Sequence, residues 1–191
     1  RQVGLADFGR HEGYFARQIA RWTRQWRTAR TREDAHIETL IDWLPRNIPA
    51  DEPLAIVHGD YRIGNLMAHT AEPRIIGILD WELSTLGHPL ADLAHCCMAW
   101  DTAPEEYGGL LGLDLAALGI PDRRSFEEAY YDRARHDARL APFHRAFAMF
   151  RWSLIFEGIA ARAQAGTAAD AGAHETGRLA AVFAERAAAY L

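Results

Sequence analysis

Two aspartates and an asparagine, Asp60, Asn65 and Asp80, are the side chains of this sequence best suited to chemistry. Asp60 closes the triplet His58-Gly59-Asp60, Asn65 follows five residues later, and Asp80 ends the run Arg74-Ile-Ile-Gly-Ile-Leu-Asp80. Carboxylates and an amide oxygen are hard ligands for a small divalent cation. Mg2+ takes one or two carboxylates together with phosphate oxygens rather than an all-protein cage. So sparse a set suits a cation shared with a phosphorylated ligand. An aspartate is ionised at neutral pH, a weak base but a good acceptor for aligning a hydroxyl. A glutamate is one methylene longer and would misplace that contact.

The elements that must position these residues are short strands set among helices. Leu54-Ala-Ile-Val57 reads as a buried strand that delivers Asp60 into a loop. Residues 65–69 and 74–80 read as two more, parted by a turn at Pro73. Before them, Phe15, Ile19, Trp22 and Trp26 form one stripe of an amphipathic helix over 10–30. Ile37, Leu40, Ile41 and Leu44 repeat the pattern over 33–44, where Pro45 ends it. After Pro89 the pattern is helical to about 100, then looser to 122. Ser125 and Glu128 form a capping box that opens a helix to about 137. A long helix over 142–165 stops at Gly166, and an Ala-rich helix covers 173–190.

His58-Gly-Asp-x-x-x-x-Asn65 followed by Leu79-Asp-Trp-Glu82 has the spacing of a kinase catalytic loop and its metal aspartate. It resembles the aminoglycoside phosphotransferase and choline kinase branch of the protein-kinase-like fold. The continuation Leu83-Ser-Thr-Leu-Gly-His-Pro-Leu-Ala-Asp-Leu-Ala94 is similar to phosphotransferase domains found alone or joined to acyl-CoA dehydrogenases. The resemblance implies an α+β, mostly helical chain, with 1–191 forming the C-terminal lobe of that fold and its few strands at 54–80. It implies an ATP- and Mg2+-dependent O-phosphotransferase acting on a hydroxyl of a small molecule, with a hydroxyacyl thioester as one expected acceptor. Asp60 would orient the acceptor hydroxyl and take its proton. Asn65 and Asp80 would hold the metal, Asp92 and His58 would brace the loop, and Arg62 would reach a phosphate. Glu82, Trp100, Asp101 and Glu157 are the candidates for acceptor recognition.

A fold of this kind also needs a nucleotide lobe with a phosphate-covering loop and a strand lysine. All 21 basic residues here are arginine, and no β-rich segment precedes residue 54. The expectation is therefore that the nucleotide lobe is absent, that the isolated chain is inactive, and that apolar surface left around the cleft favours a homodimer. Asp7-Phe8-Gly9 spells the kinase metal motif but lies ahead of Asp60, the wrong order for that role. The competing reading is a non-catalytic kinase-like binding or regulatory module. A metallophosphoesterase would need a Gly-Asn-His segment, which the chain lacks, since Gly64-Asn65 is followed by Leu66.

Composition narrows the field further. Hydrophobic residues make up 49% and charged residues 25%, an ordinary globular balance. A net charge of −5 speaks against general nucleic-acid binding, which needs a basic face. The two cysteines, Cys96 and Cys97, are adjacent and make no disulfide framework, so a cytoplasmic protein with core thiols is expected. No apolar stretch is long enough to cross a membrane, and the scattered histidines have no zinc-ligand spacing.

Overall fold

The Phe15–Trp26 stripe winds as expected into α1 (Tyr14–Ala29), with all four side chains buried. The computed structural model describes residues 4, 5, 7–51, 53–168 and 172–191. α2 (Ala35–Trp43) begins where the Asp34 carboxylate accepts from the backbone N–H groups of His36 and Ile37. Trp26 and Arg27 of α1 both donate to the Glu38 carboxylate, tying the two helices together. As expected, the α-helix ends just before Pro45. Pro45 sits in a 3-10 turn, Leu44–Arg46, that keeps Leu44 in the core.

Four short strands follow, one more than expected. β1 (Ala55–Val57) pairs antiparallel with β4 (Thr85–Gly87), and β2 (Leu66–Ala68) pairs antiparallel with β3 (Ile75–Ile78). β4 lies outside 54–80 and escapes sequence reading because Thr-Leu-Gly is too short to alternate. The buried-strand expectation for 54–57 also needs correction. Of its apolar side chains only Val57 is buried, while Leu54 and Ile56 are exposed. The β1–β4 pair packs Val57 and Leu86 inward, whereas the β2–β3 pair has no second layer among the described residues. Met67, Ile75, Ile76, Ile78, Leu79, Trp81 and Leu83 are exposed as well.

The remaining regular elements are helices, with turns and irregular chain over 102–122 and 132–141. α3 (Leu90–Cys97) runs into a 3-10 turn at Met98–Asp101, and α4 spans Arg123–Tyr131. The cap of α4 is Asp122, whose carboxylate accepts from Ser125 N–H, so Ser125 lies inside the helix rather than capping it. The helix ends well short of 137. The Tyr131 hydroxyl accepts from Leu140 N–H, and the polar stretch 132–139 offers no apolar stripe to prolong it. α5 (Pro142–Gln164) closes with Gly166 at φ +69°, where Gly166 N–H donates to Ala163 O and Thr167 N–H to Arg162 O. α6 (Ala173–Ala188) packs along α5. The core is built from Phe15, Trp26, Leu40, Phe150, Phe156 and Phe183. No helix among the described residues is long and apolar enough to cross a membrane.

His88 and His144 are buried against one another, ring centroids 5.4 Å apart. Burial holds both imidazoles below their ordinary value, His144 at about 4, and Asp51 opposes that shift only in part. A histidine depressed in the fold contributes stability above its unfolded value near 6.5, and that stability is lost as pH falls. For His144 the loss is on the order of 3 kcal/mol. The denaturation midpoint is therefore expected to drop between about pH 6.5 and 4, and His144→Phe to flatten that drop. An unchanging wild-type midpoint across this window would contradict the assignment.

Candidate active site

The turn after β1 is shaped by Gly59, which adopts φ +85°. A Cβ there would stand 2.9 Å from the Leu83 carbonyl oxygen, so the left-handed conformation and the close approach both require glycine. His58 N–H and Gly59 N–H donate to the two carboxylate oxygens of Asp92, at 2.6 and 2.9 Å. Burial pushes the Asp92 carboxyl up, and these two N–H groups oppose the shift. From α5, Arg151 donates to the Gly59 carbonyl oxygen. Burial lowers the Arg151 guanidinium from its ordinary value.

His58 fixes the other side of the loop. Its Nδ1 accepts from Asp60 N–H at 3.2 Å, so its Nε2 carries the proton and donates to Leu79 O at 2.8 Å. The ring packs against Tyr61 and Trp81. Cys96 contributes a thiol donated to Tyr61 O at 3.2 Å, and burial pushes that thiol up to about 12.

Asn65 spends one group inward and keeps the other. Its Nδ2 donates to Asp60 O and to Asp60 Oδ2, both at 2.8 Å. The amide oxygen is thereby left able to hold a cation. Leu79 N–H donates to Asn65 O at 2.8 Å, so Leu79 is gripped by Asn65 on one side and by His58 on the other. Asp80 is the next residue. It stands at φ 63°, ψ 57°, an uncommon conformation for a non-glycine residue, and opens a 3-10 turn at Trp81–Leu83. Its exposed carboxylate makes no capping hydrogen bond to that turn.

The weaker candidates divide. Arg62 folds back over Gly64 and its Nε lies 3.3 Å from Asp60 Oδ2, so it is bound to Asp60 rather than held free for a phosphate. Glu82 is exposed beside Asp80. Trp100 donates to Pro121 O at 2.9 Å, and Asp101 accepts from Arg123. Both line an open cavity of about 610 Å³ with Arg124, Glu127 and Arg145. Glu157 is elsewhere. It is buried, and it accepts from Thr31 N–H at 2.5 Å, Thr31 Oγ1 at 2.8 Å and Arg32 Nε at 3.2 Å. This bridge clamps the α1–α2 connection onto α5 and commits the buried carboxylate to that connection. Glu157→Ala would leave Thr31 N–H without its acceptor while Arg32 keeps Asp34, and should cost about 1–3 kcal/mol of stability while leaving substrate KM unchanged. A stable variant with a raised KM would restore it as a binding residue. Asp7-Phe8-Gly9 forms a turn against β4, where a Cβ on Gly9 would meet Thr85.

Two participants carry weak sequence signals. His95 lies one helical turn after Asp92 and so on the same face, a spacing that could have marked it. Arg151 has no local signal, since its contact spans 92 residues.

Comparison with known proteins follows this geometry. The family model described as the phosphotransferase enzyme family matches residues 1–129. The chain belongs to that family. It is 45% identical to a solved structure from Ralstonia eutropha JMP134 assigned to the aminoglycoside phosphotransferases, with a TM-score of 0.94 over 99% of this chain and 58% of that one. It is 37% identical over 97% of its length to acyl-CoA dehydrogenase family member 10 of Mus musculus, and 36% identical over 97% to family member 11 of Gallus gallus. The match spans only 18% and 25% of those two proteins. The chain, about half helical with a few short strands, is thus a large part of an aminoglycoside-phosphotransferase-like, kinase-like fold.

Proposed function

We propose that this chain carries the catalytic loop and metal ligands of an ATP- and Mg2+-dependent O-phosphotransferase acting on a hydroxyl of a small molecule. The observation that carries the reading is the divided use of Asn65. Its amide N–H2 holds Asp60 in place, which leaves its oxygen available to a cation, while the Leu79 N–H bond to Asn65 O brings the chain just before Asp80 alongside. Among the described residues no three His, Cys, Asp or Glu side chains gather into a metal cage. One carboxylate and one amide oxygen are a fitting set for Mg2+ only when phosphate oxygens complete the shell. Bound there, the cation would neutralise charge on the transferring phosphate.

Asp60 orients the acceptor hydroxyl through Oδ1, because Oδ2 is already occupied by Asn65 and Arg62. The acceptor oxygen forms its bond to the γ-phosphorus as the bond to the β,γ-bridging oxygen breaks. ADP departs and the hydroxyl proton passes to Asp60. Transfer of this kind depends on positioning and charge stabilisation more than on covalent chemistry, which fits a loop braced at once from α3, from α5 and from Leu79 after β3. The names of the relatives point to acyl thioesters, so a hydroxyacyl thioester is the acceptor to try first.

On this reading a second lobe, supplied by residues outside these 191, covers the exposed apolar side chains of β2, β3 and the 81–83 turn. Tests of activity belong to the longer protein. Calorimetry of that protein with ATP should show binding that requires Mg2+, weakened about 10–100-fold by Asp80→Asn, in line with loss of one charged ligand. Equal affinity with and without Mg2+ would overturn the metal assignment. Binding without any transfer would mark a kinase-like binding or regulatory module instead. Light scattering on the isolated 191 residues distinguishes a monomer from a homodimer that covers the same face.

A further inference from the structure

The two oxygens of the Asp60 carboxylate are treated differently. Oδ2 faces two donors, Asn65 Nδ2 at 2.8 Å and Arg62 Nε at 3.3 Å. Oδ1 faces one group, the Nε2 of His95 at 3.7 Å, which is beyond hydrogen-bond length. His95 is buried at 6% exposure on α3. Burial first, then the charge of Arg151, pushes its imidazole down to about 3, so the pair is not an ion pair at neutral pH. The ring therefore has one N–H. Nδ1 is buried with no partner among the described residues, and a bare lone pair at Nε2 would repel the carboxylate. The N–H accordingly belongs on Nε2, aimed at Oδ1.

The ring is also held still. Trp152 lies 5.4 Å from it, and Trp152 is backed by Tyr107 at 4.9 Å and Phe156 at 5.3 Å. As packing alone, a histidine is a poor choice at this place. It buries a nitrogen that finds no partner, where leucine or methionine would fill similar space without that penalty.

We propose that His95 is a positioning residue for Asp60, its Nε2–H orienting the carboxylate so that Oδ1 presents a fixed lone pair to the acceptor hydroxyl. The contact closes to hydrogen-bond length when an acceptor draws Asp60 into its working geometry. This rests on the phosphotransferase reading above, with Asp60 as the acceptor-orienting group.

The test compares polar and apolar replacements in the longer protein, using phosphate release from Mg-ATP with water as the acceptor. His95→Gln places an amide N–H near the imidazole Nε2. His95→Leu and His95→Met do not. A misplaced reacting group costs up to about 100-fold, so Leu and Met should lower kcat by roughly 30-fold, while Gln stays within about 3-fold of wild type. KM for Mg-ATP should hold in all three. If His95 only packs, the order reverses, with Leu or Met matching or exceeding Gln, and the proposal falls. It falls too if neither apolar variant folds by thermal melting; if only one folds, that one is compared with Gln. Asp60→Ala is the reference. Hydrolysis that survives it overturns the phosphotransferase reading itself, whereas a dead Asp60→Ala beside an active His95→Leu overturns only the role of His95.

Discussion

Asp60→Ala in the longer protein should lower phosphoryl transfer by about a thousandfold, with the affinity for Mg-ATP changed only a few-fold. Removing a positioned acid–base group costs about 10²–10⁴-fold, and Asp60 both aligns the hydroxyl and receives its proton. The variant does not dismantle the loop. Asn65 Nδ2 keeps its bond to the Asp60 main-chain oxygen, and His58 still accepts from the main-chain N–H of residue 60. Ground-state binding of the nucleotide is thus preserved while the transition state loses its anchor, so the loss belongs in kcat. Asp60→Asn separates the two duties. Its amide can still align a hydroxyl through its oxygen but is no proton acceptor, so it should fall between wild type and alanine. Steady-state release of ADP measures all three, and a loss under tenfold for Asp60→Ala would remove Asp60 from the chemistry.

The residues of this network were legible in the sequence because their partnerships are largely local or rest on a motif. Asp60 and Asn65 are five apart and meet through one turn, and the Asp92 carboxylate sits in the first turn of α3. The helical stripes of α1, α2 and α5 were legible for the same reason, since the 3.6-residue period records which face is buried. What could not be read depends on distant packing. Nothing near Arg151 announces that it reaches Gly59, and nothing near Glu157 announces that Thr31 and Arg32 will occupy it. The strands misled for a related reason. Leu54-Ala-Ile-Val57 has the composition of a buried strand, yet burial requires a second layer, which the described residues do not provide over Leu54 and Ile56. An apolar run records the preference of a segment for cover, and the cover itself is a property of whatever else assembles on it.

Asp92→Ala should be the most damaging single change to the loop's architecture. The carboxylate satisfies two consecutive main-chain donors, His58 N–H and Gly59 N–H, in the segment that must hold Gly59 at φ +85°. Each donor left unpaired out of water costs about 1–3 kcal/mol, so the pair is worth about 2–6 kcal/mol against a total stability of about 5–15 kcal/mol. Asp92 also lies in the first turn of α3, where a carboxylate suits the helix dipole, which adds a smaller loss. The consequence for activity follows from geometry. Without Asp92 the His58–Asp60 segment is still held by Arg151 at Gly59 O and by His58 at Leu79 O, but His58 N–H and Gly59 N–H lose their acceptors and the segment shifts to find others. A displacement of about 1 Å at Asp60 is enough for a loss near a hundredfold in kcat. Asp92→Asn keeps one acceptor oxygen and should sit midway in stability, because charge-assisted bonds are about twice as strong as neutral ones. Denaturant midpoints and kcat measured together decide the matter. If Asp92→Ala melts like wild type and turns over at wild-type rate, the loop is held by Arg151 and His58 alone.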